Sequence, residues 1–125
     1  RVIARKVDIS KCPENLRTYL GQVFVTQGKN YDIYAVALFE AVLFGQLIDD
    51  LGNPSWWPFW LFDVTDPSIP REWICSVFHD EPVLVLGPEF VAGSQAKYSA
   101  MVEQEPAQVD LFWAYVNAHA TQTAD

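Results

Sequence analysis

Basic residues nearly disappear from this chain after residue 30. Residues 31–125 contain only Arg71 and Lys97 against fourteen acidic side chains, a net charge of −12, while residues 1–30 hold six basic and two acidic residues, net +4. The total of −8 argues against nucleic acid as a ligand, because such binding depends on Lys and Arg displacing condensed counterions from phosphates. The same field attracts a basic protein and speeds its docking. Cysteine and histidine are equally scarce. Cys12 and Cys75 are the two cysteines, without CxxC spacing, and two histidines cannot complete a zinc set, so no metal or cofactor is expected. A reduced, cytoplasmic setting fits this usage, with a single disulfide as the alternative. Long apolar runs are missing too. The stretch from Val36 to Phe44 is interrupted by Glu40 and falls short of the roughly 20 residues that cross a membrane. Arg1 to Ser10 lacks the apolar core of a secretion signal. The six glycines are scattered, which leaves no phosphate-cradling loop.

What is present is apolar substance: half of the 125 residues are hydrophobic, enough for one core and one domain spanning 1–125. Val2 to Ile9 reads as a strand, Cys12 to Leu20 as a short helical turn ended by Gly21, and Val23 to Val25 as a second short strand. Tyr31 to Phe39 and Val42 to Ile48, rich in β-formers, read as a hairpin. Pro54, Pro58, Pro67 and Pro70 keep the next stretch extended or irregular. Trp73 to Phe78 and Val83 to Leu86 are strand candidates joined through His79-Asp80-Glu81-Pro82. Two helices follow, one capped by Ser94 and one opening at Pro106. Val109, Phe112, Trp113 and Val116 form the apolar stripe of the second. Strands early and helices late predict an α+β fold, mainly an antiparallel sheet packed by C-terminal helices.

Three constellations carry potential chemistry. Asp49-Asp50 could bind a cation or share a proton, but neighbours on a strand point to opposite faces. His79-Asp80-Glu81 sets a base beside carboxylates without a nucleophile motif. The segment Trp56-Trp57-Pro58-Phe59-Trp60 is flanked by Asp49, Asp50, Asp63 and Asp66, and exposed aromatic rings beside acid suit a basic protein partner.

The order of Gly28-Lys29-Asn30-Tyr31-Asp32-Ile33-Tyr34, Leu47-Ile48-Asp49-Asp50, Asn53-Pro54-Ser55-Trp56-Trp57-Pro58, Leu61-Phe62-Asp63-Val64 and Pro70-Arg71-Glu72-Trp73 resembles small bacterial immunity proteins of polymorphic toxin systems. Phe59-Trp60 departs from it, being bulkier than the small residues expected after Pro58. The resemblance implies a cytoplasmic inhibitor that occludes a cognate toxin and has no catalytic residues of its own. Partner contacts are accordingly expected at Asp49, Asp50, Trp56, Trp57, Trp60, Asp63 and Asp66. The alternative is a small-ligand protein or enzyme with a cleft near Trp56 to Phe62 that uses Asp49, Asp50 or His79.

Overall fold

A computed structural model describes residues 1–5, 11–20 and 22–123, with side chains through residue 119. The alternating stretch at the N-terminus forms strand β1 (Val2–Ala4), which ends before Arg5; residues 6–9 of the strand expected there, and Gly21, lie outside the described residues. A 3-10 helix (Glu14–Tyr19) follows, with Leu16 as its buried residue. Val23 to Val25, expected as a strand, is irregular, and the Phe24 carbonyl accepts the Asp50 backbone N–H at 2.8 Å. The long β-forming run from Tyr31 is split: β2 (Asn30–Tyr31) joins β1, whereas β3 (Ala35–Phe39) begins a second sheet.

That second sheet is antiparallel throughout. β4 (Val42–Ile48), β5 (Pro54–Pro58), β7 (Ile74–Phe78) and β8 (Val83–Gly87) complete it in the order β5-β4-β3-β8-β7. β6 (Phe62–Val64) pairs with β1 in the smaller sheet, ordered β2-β1-β6. The proline-bracketed tryptophan segment is therefore an edge strand, where a missing proline N–H costs no ladder bond. The β3–β4 hairpin turns through Glu40 and Ala41, both left-handed at φ 50° and 64°. A two-residue type I′ turn needs that conformation at both central positions, and Asn or Gly adopts it with less strain.

Helices α1 (Glu89–Ala92), α2 (Gln95–Val102) and α3 (Pro106–Thr123) cover one face of the five-stranded sheet. The Ser94 hydroxyl accepts the Lys97 backbone N–H at 3.2 Å, and Pro106 opens α3, as the sequence predicts. The fold is α+β, with both sheets antiparallel and the helices C-terminal. Ala35, Ala37, Val83 and Val85 form the sheet side of this core and Phe112 its centre, with Val109, Trp113 and Val116 only partly buried around it. Small alanines on β3 leave room for the Phe112 ring, which meets Tyr34 and Trp113 edge to face at 5.3 and 5.4 Å.

Inside this layer Gln46 is fully buried and neither amide atom has a hydrogen-bond partner; the indole N–H of Trp56, its neighbour on β5, is also unpartnered. Unpaired buried amides destabilise by about 1–3 kcal/mol. Gln46→Leu, close in volume, should therefore raise the urea midpoint without changing the m-value; a lower midpoint would mean that the amide is satisfied in solution.

Candidate interaction surface

Residues opposite one another in an antiparallel sheet share a face, so register sorts every side chain. Ala35, Ala37, Phe39, Val83, Val85 and Ser76 point to the helices; the Ser76 hydroxyl donates to the Ala92 carbonyl at 2.7 Å. The other face carries Trp57, Gly45 and Leu47 at its β5–β4 side. There the smaller sheet and its loops cover it, burying Leu47 and Trp57 among Phe24, Ile33 and Phe59. Gly45 permits this close approach, since a Cβ on it would meet Ile33 at 2.9 Å and Phe59 at 3.0 Å.

The cover stops at β4. Beyond it the same face presents Leu43, Leu38, Leu84 and Val77, with Val36 and Leu86 toward the far end. Leu38, Leu43 and Val77 are 43, 44 and 56% exposed. Cys75 also lies on this face, exposed and unoxidised, whereas Cys12 is a buried free thiol. No charged or polar side chain interrupts this surface on β3, β8 or β7. Contiguous apolar patches of more than a few hundred Å² mark interaction sites. The signal was available in the sequence: β3 and β8 are apolar at consecutive positions, the pattern of strands covered on both faces. Here, among the described residues, one of the two covers is missing.

Val36 and Leu86 also floor a cleft of about 800 Å³, walled by Ile33, Phe59, Ile69 and the rings of Tyr34, Trp73 and Tyr115. The Trp73 indole donates to the Tyr115 hydroxyl at 2.9 Å, which donates to Glu72 at 3.0 Å, and the His119 ring lies 2.8 Å from the same carboxylate oxygen. Burial pushes the Tyr115 hydroxyl up to about 12. A backbone hydrogen bond and the His119 contact hold Glu72 below the usual carboxylate value.

The residues singled out in the sequence have different surroundings. Asp49 is buried, its Oδ1 accepting the backbone N–H groups of Leu51 and Asn53 at 3.0 and 3.1 Å and its Oδ2 the Ser55 hydroxyl at 2.9 Å. Trp57 is buried and donates to Ser55 at 2.8 Å. Trp56 is half-buried against Tyr98, and Trp60 is half-buried beneath Arg5, whose guanidinium lies 5.7 Å from its ring and donates to its carbonyl. Asp63 is exposed on β6, and Asp66 is exposed at the cleft, where Ser68 holds its carboxyl below the usual value. The basic N-terminal segment supplies counter-charges in the same region: Lys29 reaches Asp50 at 3.1 Å and Arg1 reaches Asp32 at 3.0 Å. Sequence distance concealed those pairings. His79 lies in the β7–β8 turn and Asp49 just past the opposite end of β4, so the two do not converge on one cleft. A separate pocket of about 320 Å³ beside Trp56 is walled by Tyr19, Phe39, Phe44 and Tyr98.

Asp50 gathers the Thr26 hydroxyl at 2.6 Å, the Tyr31 hydroxyl at 2.7 Å and Lys29. Burial pushes its carboxyl up, but these hydrogen bonds outweigh that and hold it below the ordinary 3.8. A depressed carboxyl stabilises the fold above its unfolded value and loses that contribution as pH falls through the folded one. Asp50→Asn should thus be less stable than the parent at neutral pH, and the gap should close in acid. Equal gaps at neutral pH and about pH 3 would contradict this.

Among the described residues no group of three or more His, Cys, Asp or Glu could hold a metal ion, and no helix is long and apolar enough to cross a membrane. Comparisons with protein-family models, curated proteins and solved structures give no match.

Proposed function

We propose that this chain works by binding another protein, as an immunity-type inhibitor that neutralises a toxin in the cytoplasm by covering its active surface. The observation that supports this is the bare face of the five-stranded sheet, where Leu38 and Leu43 on inner strands and Val77 on the edge strand β7 are exposed to water. A flat apolar surface on a rigid sheet offers a partner large contact area at little ordering cost. The partner is basic, to match a chain of net charge −8. No turnover by this chain, and no metal or cofactor, enters the proposal.

The test is capture of partners by the tagged chain from the source organism, followed by co-expression of the captured protein with and without this chain. Near-stoichiometric capture of a protein that arrests growth when expressed alone, with rescue by this chain, is the expected result. A hydrolase or transferase activity of the isolated chain that vanished in His79→Ala would overturn it.

A second reading, binding of a small ligand, has support in the 800 Å³ cleft and its three aromatic walls, Tyr34, Trp73 and Tyr115. Saturable shifts of Trp73 and Tyr115 signals by a metabolite extract would favour it.

A further inference from the structure

The bare sheet face has a polarity that identifies its occupant. β3 ends and β8 begins at the paired residues Phe39 and Val83, and Phe78 of β7 pairs there too, so the β3–β4 and β7–β8 turns share one end of the sheet. Glu40, Asp80 and Glu81 occupy those turns, all exposed, with no Lys or Arg among them and no ion pair to any base among the described residues. Of the three, Glu81 lies with Tyr98, Phe39 and Val83 on the helix-covered side, where burial and this carboxylate raise the Tyr98 hydroxyl, so Glu40 and Asp80 are the acids left at the end of the bare face. His79 is the one basic side chain in these turns. At the opposite end the face runs over Val36 and Leu86 into the cleft, where Asp32 and Asp66 have the Arg1 guanidinium beside them as counter-charge, unlike the acids of the turns. The surface therefore reads, along the strands, as acid, then apolar sheet, then cavity.

A second copy fits this poorly. The smaller sheet rises over the β5–β4 side, so two copies packed face to face with aligned strands can avoid collision only about a twofold axis parallel to the strands. That axis sets both sets of Glu40 and Asp80 side by side, and like charges brought together oppose association. Charge complementarity selects a different occupant.

We infer that the face over Leu38, Leu43, Leu84 and Val77 receives a segment of a protein that is apolar along its length and carries Lys or Arg at the end lying over Glu40 and Asp80, its other end filling the cleft at Val36 and Leu86. This rests on the protein-binding reading and adds to it a surface, a direction and a partner chemistry. The contacts lie away from the tryptophan segment, since Trp57 is buried and Trp60 is engaged by Arg5.

The probe is a synthetic peptide with a lysine run followed by alternating valine and threonine and a terminal phenylalanine, compared with the same peptide carrying glutamate for lysine. Titrated into the isotope-labelled chain, the lysine peptide should shift the amide signals of Leu38, Val77 and Leu84 and those of Glu40 and Asp80. Its affinity should exceed that of the glutamate peptide by about tenfold or more. Leu38→Asp with Val77→Asp should abolish the shifts, and Leu38→Thr with Val77→Thr, which keeps β-branched or β-tolerant side chains, should weaken them if the aspartate pair unfolds the sheet. Glu40→Gln and Asp80→Asn together should erase the preference for lysine, and Glu81→Gln alone, on the helix-covered side, should leave it nearly unchanged. Equal affinity for the two peptides, shifts at Trp56 to Trp60 instead, no shifts, or a concentration-dependent dimer that dissolves in the Leu38/Val77 variants would each overturn the inference. A captured partner that binds wild type and the Leu38/Val77 variants alike would remove this face while leaving the protein-binding reading intact; absence of any partner would count against that reading itself.

Discussion

Phe112→Ala should lose about 3–5 kcal/mol of stability, the largest loss expected of any single side chain in the helical layer. Phe112 is wholly buried and stands at the point where α3 meets the alanines of β3, with Tyr34 and Trp113 edge to face on either side. Removal of the ring deletes buried apolar area and opens a cavity that a sheet floor of small residues cannot close by side-chain movement. Trp113→Ala should cost less, because Trp113 is only half-buried. Urea denaturation followed by far-ultraviolet circular dichroism measures both. Parental stability in Phe112→Ala would mean that α3 is not packed on this sheet.

Asp49→Ala should cost about 2–4 kcal/mol, the full desolvation of the groups it leaves behind rather than the net value of one bond. The carboxylate accepts two backbone N–H groups of the loop and the Ser55 hydroxyl, and Ser55 in turn accepts the Trp57 indole N–H. Gly52, left-handed at φ +83°, lets the chain fold back under it. Asp49→Asn should recover about half of the loss, because its amide oxygen still serves Leu51 and Asn53 while its NH₂ cannot accept from Ser55. Thermal unfolding of both variants is the check; a melting temperature unchanged in Asp49→Ala would place the side chain in solvent. Any binding defect of Asp49 variants must accordingly be read against their stability.

Local chemistry was the legible part of the sequence. The β3–β4 hairpin, the Ser94 cap and the Pro106 helix start each depend on neighbouring residues, and each is where the pattern puts it. Pairings set by distant residues were not legible. Tyr31 and Ala35, four positions apart, belong to different sheets because Tyr31 pairs with Val2 and Ala35 with Gln46. Between them Asp32 interrupts the β-formers, but Ile33 and Tyr34 resume the pattern at once, so nothing local says that the two halves join different sheets. Charge misled in the same way: Asp50 reads as free acid until the fold brings Lys29 and Tyr31 to it. The unbroken apolar runs of β3 and β8 were visible, yet sequence alone does not say which face the fold leaves open.

On the proposed reading, the open face of the five-stranded sheet is the surface with which this chain binds protein. The most direct test is quantitative capture from the source organism with three baits: the parent, Leu38→Asp with Val77→Asp, and Trp60→Ala. A basic partner retained by the parent and by Trp60→Ala but lost from the Leu38/Val77 bait is the result expected. Retention of the same partner by the Leu38/Val77 bait, with loss from Trp60→Ala, would contradict it and return the interface to the tryptophan segment.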